Sequence, residues 1–514
     1  MPPKISCICL SLAAFVGQSS AWSPSKHISG TFSPCHHHHH HHRMRIAGQE
    51  RMRVAGQEMR LSATVPASAS SKTAMEENSK KTQLRTLYPP SNATNNGTLE
   101  VDSTHTLYYE QYNDPTDESL NALFLHGGPG AGCFPNHARF FSPGHYRVTL
   151  LDQRGCGRST PKGEIINNTL VTLVQDIESL RIHLGHDRWD VVLGGSWGTT
   201  LALAYAQTYP ERVGGMVLRG VCLFRQSEID WLFARNGGAS KLNTEGWNEF
   251  EKAVGIDAGE ITSQVNGIGS GKGPNRDALN RYYDCLLGRD PALRVSAMAA
   301  WMKWEMSIFS LNKKENQNST DNTSDSPLLV WDKAYSWSYQ DEFGPTDAGE
   351  TDALAAKKAQ SLRRFSPNNA LEECIGFDDL TQSSPRAIDG TTRQFVDARL
   401  RKLPPNMTEE QAKTFVPAQA MLTCFYSTNV DYVMGKYRNL LSGEGLERLA
   451  NIPCIAVQGG EDAICPPDSA LDLVQAWPEV ELRIPLGAGH SMYHPEICSE
   501  LVKATDRFAG IGKL

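Results

Sequence analysis

A strand that breaks into a glycine-flanked serine and then runs straight into a helix constrains this chain more than any bulk property. Trp189–Leu193 reads as an apolar strand, Gly194-Gly195-Ser196-Trp197-Gly198 as a sharp turn, and Thr199 to about Tyr209 as an alanine- and leucine-bearing helix closed by Pro210. Glycines at 194 and 198 permit the tight reversal that holds one side chain in strained geometry above the end of a sheet. Ser196 then stands near a helix N-terminus, where the backbone dipoles favour developing negative charge. A G-x-S-x-G match alone is weak, since glycine and serine abound in turns. Its weight here comes from the strand before it and the helix after it.

Two more strands break into chemistry-bearing turns downstream. Ile452–Val457 ends in Gly459-Gly460-Glu461-Asp462, and Glu481–Ile484 ends in Gly487-Ala488-Gly489-His490. Nucleophile, acid and histidine in that chain order, each just past a strand, are the arrangement of an α/β-hydrolase triad. Upstream, Asn121–Leu125 runs into His126–Gly130 and Tyr146–Asp152 into Gln153–Ser159, while Met216–Leu218 is a further short strand. The expected class is therefore α/β: a mostly parallel central sheet flanked by helices, with its core in residues 85–220 and 446–514. Residues 221–445 read as a mainly helical cap, enlarged by an insertion somewhere within 309–420 whose start, 312–326, is polar and loop-like.

The chemistry distributes the roles. Ser196 is a poor nucleophile until His490 takes its proton, and Asp462 orients the imidazole and stabilises its protonated form. An oxyanion hole needs two backbone N–H groups, one from Trp197 and one from the Gly127–Gly128 turn. The glycines of 128–132 do not cradle a nucleotide phosphate: the third glycine of G-x-G-x-x-G would fall at Cys133, and the Walker pattern is absent.

Composition excludes several other classes. The net charge of −7 argues against nucleic acid as a partner. Past the extreme N-terminus no apolar run approaches the roughly 20 residues that span a bilayer. Of the 12 cysteines, Cys7, Cys9 and Cys35 precede the body and the rest are scattered without a C-x-x-C pair, which is neither a disulfide framework nor a zinc signature. No metal and no cofactor is implied.

Residues 1–21 read as a secretory signal, with Lys4, the apolar stretch Ile5–Val16 and small residues to Ala21. Residues 22–84 are transit-like and of low complexity: the basic residues Lys26, Arg43, Arg45, Arg51, Arg53, Arg60 and Lys72 face only Glu50 and Glu58 up to residue 75. The junction Ser19–Pro24 resembles the aromatic-bearing cleavage motif of plastid presequences in algae with secondary plastids. The expectation is entry into the secretory pathway and onward transfer to a plastid; the alternatives are plain secretion, or a cytoplasmic enzyme whose start is misassigned. The tandem RMRIAGQE and RMRVAGQE (43–58) and the histidines 36–42 carry no function in this reading.

These residues together resemble the prolyl aminopeptidases (proline iminopeptidases). His126–Gly130 is similar to the family's HGGPG signature, and LLDQRGCGRSTP (150–161), GGSWGTTLALAYAQTYPERV (194–213), VLRG (217–220), GAGHSM (487–492) and Thr106–Tyr112 are similar to further family segments. Resemblance covers roughly 85–310 and 440–514. It implies removal of an N-terminal residue, usually proline, from short peptides with a free N-terminus. Trp301-Met302-Lys303-Trp304-Glu305 resembles the family's W-x-x-W-E helix, which makes Glu305 the anchor for the substrate amine. Trp301, Trp304 and Glu305 share one helix face by their spacing. The resemblance also places Arg219, Cys465 and Tyr426 in the substrate pocket. The family's second acidic anchor aligns with Thr423–Ser427, where the carboxylate is missing, and two aromatic pocket positions fall at Cys222 and Leu232. That departure weakens "proline" more than "aminopeptidase". Two other readings stay open: an esterase or amidase of small molecules, which would have no reason to bury Glu305, and a non-catalytic ligand receptor, against which the intact triad and elbow argue.

Overall fold

Residues 84–113, 116, 119–256, 275–311, 384–392, 394, 408, 412–413 and 416–511 are described by the computed structural model. Eight strands form one sheet: β1 (Ala93–Glu100), β2 (Thr106–Tyr112), β3 (Leu120–Leu125), β4 (Tyr146–Asp152), β5 (Val191–Gly195), β6 (Met216–Arg219), β7 (Cys454–Val457) and β8 (Glu481–Arg483). Their spatial order is β1-β2-β4-β3-β5-β6-β7-β8. β1 and β2 pair antiparallel, as do β2 and β4, and every other pairing is parallel.

The central strands are apolar on both faces because both faces are covered. Along β3, Leu123 and Leu125 enter one core while Ala122 and Phe124 enter the other; along β6, Met216 and Leu218 oppose Val217 in the same way. Burying each such leucine contributes roughly 1.5–3 kcal/mol. Helices α1 (Leu170–His183) and α2 (Trp197–Thr208) pack on the first face. The cap follows β6 with α3 (Gln226–Phe233), α4 (Gly238–Leu242), α5 (Thr244–Ala253), α6 (Asp277–Leu286), α7 (Pro291–Phe309), α8 (Ala418–Thr428), α9 (Val430–Met434) and α10 (Gly443–Glu447). After β7, α11 (Pro467–Ala476) joins the first face and α12 (Pro495–Phe508) closes the second. This is the α/β-hydrolase fold with a mainly helical cap.

Helix α7 carries the expected substrate anchor, and its start is set locally. Asp290 caps it by accepting from the backbone N–H groups of Ala292 and Leu293, and Pro291 fills the first helical position. The return limb of the insertion is held at Asp284, which accepts from Arg386 (2.8 Å), the Asp389 backbone N–H (2.8 Å) and the Thr392 hydroxyl (2.8 Å).

Strand positions match the sequence expectation closely, with one addition. β1 was not anticipated, since its Asn95-Asn96-Gly97 centre is mostly exposed and poor in strand formers; edge pairing with β2 supplies what propensity lacks. The eight described cysteines are free thiols. Among the described residues no helix is long and apolar enough to cross a membrane, and no group of three or more His, Cys, Asp or Glu could hold a metal ion. The expected leader segments, the histidine run and the aromatic stretch Trp331–Tyr339 lie outside the described residues.

Candidate active site

Ser196 sits at the turn between β5 and α2 with φ 56° and ψ −124°, a backbone conformation that L-residues rarely adopt. The flanking glycines are required by contact. A Cβ on Gly194 would stand 2.2 Å from the Gly198 carbonyl oxygen, and one on Gly198 would stand 2.2 Å from that of Leu125. The Ser196 backbone N–H is tied to the Arg219 carbonyl at 2.8 Å, locking the turn to the end of β6.

Asp462 follows β7 and is held by two backbone donors, Ile464 at 2.9 Å and Cys465 at 2.8 Å, both on Oδ1. Its Oδ2 faces His490 Nδ1 at 2.7 Å. An ionised carboxylate only accepts, so Nδ1 is the donor and Nε2 carries the lone pair, the tautomer a general base needs. Gln458 steadies the same loop, donating to the Cys465 carbonyl at 2.8 Å. Ser196, Asp462 and His490 thus converge from three separate turns. In this conformation Nε2 accepts from Arg219 Nη1 at 3.1 Å, and Ser196 Oγ makes a hydrogen-bond contact with Cys465 Sγ at 3.8 Å. Catalytic hydrogen bonds of this kind often tighten only with substrate in place.

The Gly127–Gly128 turn lies directly against Ser196: a Cβ on Gly127 would be 3.0 Å from Ser196 Cβ and 3.7 Å from its hydroxyl. Gly128 has φ +113°, which favours glycine there. Gln153 joins this turn to α2. Its backbone N–H donates to His126 Nε2 (3.1 Å), its side-chain amide to the His126 carbonyl (2.9 Å), and its side-chain oxygen accepts from the Trp197 indole (3.0 Å). His126 in turn donates from Nδ1 to the Gly127 carbonyl at 2.9 Å, and burial holds its pKa below the usual imidazole range. The sequence reading gave Gln153 and His126 no roles. The available signal was a lone carboxamide between Asp152 and Arg154, both consumed by ion pairs: Asp152 with Arg158 at 2.7 Å and Arg154 with Asp176 at 2.6 Å.

Above Ser196 opens a mainly apolar pocket walled by Phe134, Leu232, Phe233, Trp304, Ile308 and Phe309, with Arg219, Glu305, Thr423 and His490 among its polar lining. Glu305 comes from the last turns of α7. The Trp301 indole donates to its Oε1 at 2.8 Å, yet burial dominates and pushes its carboxyl up to about 7. No cation pairs with it among the described residues.

Not every expected pocket residue stands in the wall. Trp301 is behind it, stacked on Phe233 at 4.6 Å, and acts on the pocket through Glu305. Tyr426 is likewise behind: its ring packs on Trp197 at 5.1 Å and its hydroxyl donates to Asn168 at 2.5 Å, because a buried phenol needs an acceptor. Cys465 touches Ser196, but contact with Cys222 together with burial pushes its thiol well up, so it stays a neutral thiol. Thr423 donates to the Pro129 carbonyl at 2.9 Å and so braces the segment after the Gly127–Gly128 turn from the cap. Cys222 points to Glu228, with Sγ 3.8 Å from Oε2. Leu232 lines the pocket at one of the two family aromatic positions, and beside the expected Trp304 the residues Phe134, Phe233 and Phe309 bring aromatic rings to it from other segments.

The family model for the alpha/beta hydrolase fold matches residues 123–241. A "Probable proline iminopeptidase" of Leptolyngbya boryana is 32% identical over 426 residues, covering 83% of this chain and 97% of that one. The "Proline iminopeptidase" of Arabidopsis thaliana is 32% identical over 427 residues, 83% of each chain. That of Neisseria gonorrhoeae is 31% identical over 410 residues, 80% of this chain and 94% of the relative.

Proposed function

The chain belongs to the proline iminopeptidase family and is a hydrolase, and from that premise we propose that it is a serine aminopeptidase releasing an N-terminal residue, preferentially proline, from short peptides through an acyl-enzyme. The observation that carries the reading is Glu305, a half-buried carboxylate with no cation paired to it among the described residues, in the same pocket as Ser196 and His490. A free α-ammonium group supplies the missing charge, and an internal peptide bond cannot.

In this mechanism Glu305 holds the substrate amine while the first carbonyl carbon lies over Ser196. Ser196 Oγ attacks as His490 Nε2 accepts its proton, and Asp462 stabilises the imidazolium. The backbone N–H of Trp197 and one from the Gly127–Gly128 turn meet the oxyanion; removing one such donor typically lowers the rate by roughly 10²–10³. His490 then protonates the leaving amine, and water attacking the acyl-enzyme repeats the sequence. The aromatic wall supports a proline ring.

A panel of aminoacyl fluorogenic amides tests the specificity. Methylene-scale fit in such a pocket is worth roughly 1–3 kcal/mol, so kcat/KM for proline should exceed that for alanine by about 10–200-fold. Equal values would remove proline from the reading and leave the aminopeptidase.

The pH dependence follows from Glu305, whose carboxyl lies near 7 rather than 4.5. Only the ionised form pairs with ammonium, so free-amine substrates lose this anchor as pH falls through about 7. The ratio of free-amine to N-acetylated rates cancels titrations common to both substrates. That ratio should drop several-fold between pH 8 and pH 6, and a flat ratio would show that Glu305 does not meet the amine.

A further inference from the structure

Arg219 is a second charge in the same pocket with no carboxylate in ion-pair contact among the described residues. It stands at the end of β6, is 8% exposed, and lines the pocket beside Ser196 and His490. Its Nη1 donates to the His490 carbonyl at 3.0 Å and meets His490 Nε2 at 3.1 Å. Its Nε is buried with no hydrogen-bond partner, and no carboxylate pairs with it among the described residues. Asp462 does not serve, because its oxygens are taken by His490 and two backbone N–H groups. A Cβ on Gly195 would fall 2.7 Å from Arg219 Nη2, so the glycine before the nucleophile is what makes room for the guanidinium.

A buried guanidinium without a contacting anion is costly; the direct acceptors of Arg219 are both on His490, and the Asp462 charge acts on it only through space. The desolvation also holds the Arg219 pKa below its ordinary value. Glu305 presents the opposite deficit in the same cavity, and the two are not in ion-pair contact. A single molecule carrying both charges would satisfy both.

We propose that Arg219 is a carboxylate-binding site, so that the preferred ligand of this pocket is a zwitterion with its ammonium on Glu305 and its carboxylate on Arg219. The ammonium end rests on the aminopeptidase reading; the carboxylate end is new. Two molecules have this chemistry. One is the released amino acid, whose carboxylate forms at Ser196 when the acyl-enzyme hydrolyses. The other is a dipeptide substrate, whose terminal carboxylate lies just past the scissile bond on the His490 side. A guanidinium fork matches either carboxylate.

The test measures binding by calorimetry in the Ser196→Ala protein, which holds ligands without turning them over. Free proline is compared with prolinol, and prolyl-alanine with prolyl-alaninamide. The expected result is at least tenfold tighter binding of the carboxylate-bearing member in one pair or both, the discriminating pair identifying the source. Adding Arg219→Met should bring the ratio to about one, and Arg219→Lys should restore part of it. If the methionine variant does not fold, the ratios in Ser196→Ala with Arg219 intact or as lysine still decide. Equal affinity within both pairs, or no binding at all, overturns the proposal. Wild-type turnover of a prolyl fluorogenic amide, which has no carboxylate, is measured on the same preparation. Turnover with ratios of one rejects only the carboxylate site, whereas absent turnover rejects the aminopeptidase reading itself.

Discussion

Replacing Ser196 by alanine will lower kcat by about 10⁶ while leaving the protein folded. A nucleophile acting as one unit with its base typically accounts for an effect of that order. The structural consequence should be small for a specific reason: among the described residues the hydrogen-bond contact of Ser196 Oγ is a long one, to the Cys465 thiol at 3.8 Å. Alanine occupies the same backbone conformation, so the turn at φ 56° is neither relieved nor further strained. The melting temperature should therefore stay within the range of a neutral substitution, and a fluorophosphonate probe should no longer label the protein. A mutant retaining a tenth of wild-type kcat would show that another group is the nucleophile.

The parts of this molecule legible in the sequence are those governed by short-range rules. The elbow could be read because strand, glycine turn and helix are adjacent in the chain, and because both glycines answer to backbone contacts that no side chain could survive. The position of Glu305 could be read because i, i+3 and i+4 residues share a helix face, as the Trp301 to Glu305 hydrogen bond reflects.

What could not be read depends on segments far apart in the chain. Gln153 looks like any loop residue until His126 and Trp197 close around it. The aromatic wall draws Phe134 from the core and Phe233 and Phe309 from the cap, which no local pattern connects. The family resemblance puts Tyr426 in the wall, whereas the acceptor that turns it away, Asn168, lies 258 residues earlier. The contact of Arg219 with His490 across 271 residues is of the same kind.

Glu305→Gln is the second substitution expected to have a large effect, and pairing it with a change in substrate isolates the cause. Breaking a buried, hydrogen-bonded charge pair on one side costs about 2–5 kcal/mol, so kcat/KM for free-amine substrates should fall by roughly 30- to 5000-fold. Acetylating the substrate amine in wild type removes the other half of the pair and should produce a loss of similar size. Applying both changes together should add little to either alone, because the interaction they remove is the same one. The glutamine is nearly isosteric and can still accept from the Trp301 indole, so the cavity wall and the α7 backbone are preserved. It also abolishes the titration near pH 7, and the free-amine to acetylated ratio should then be flat from pH 6 to pH 8. A general loss of packing would instead lower both substrates alike and leave the two effects additive. Additivity would mean that the amine is held elsewhere, and Glu305 would then be a half-buried acid, unpaired among the described residues, with no account of its place in the pocket.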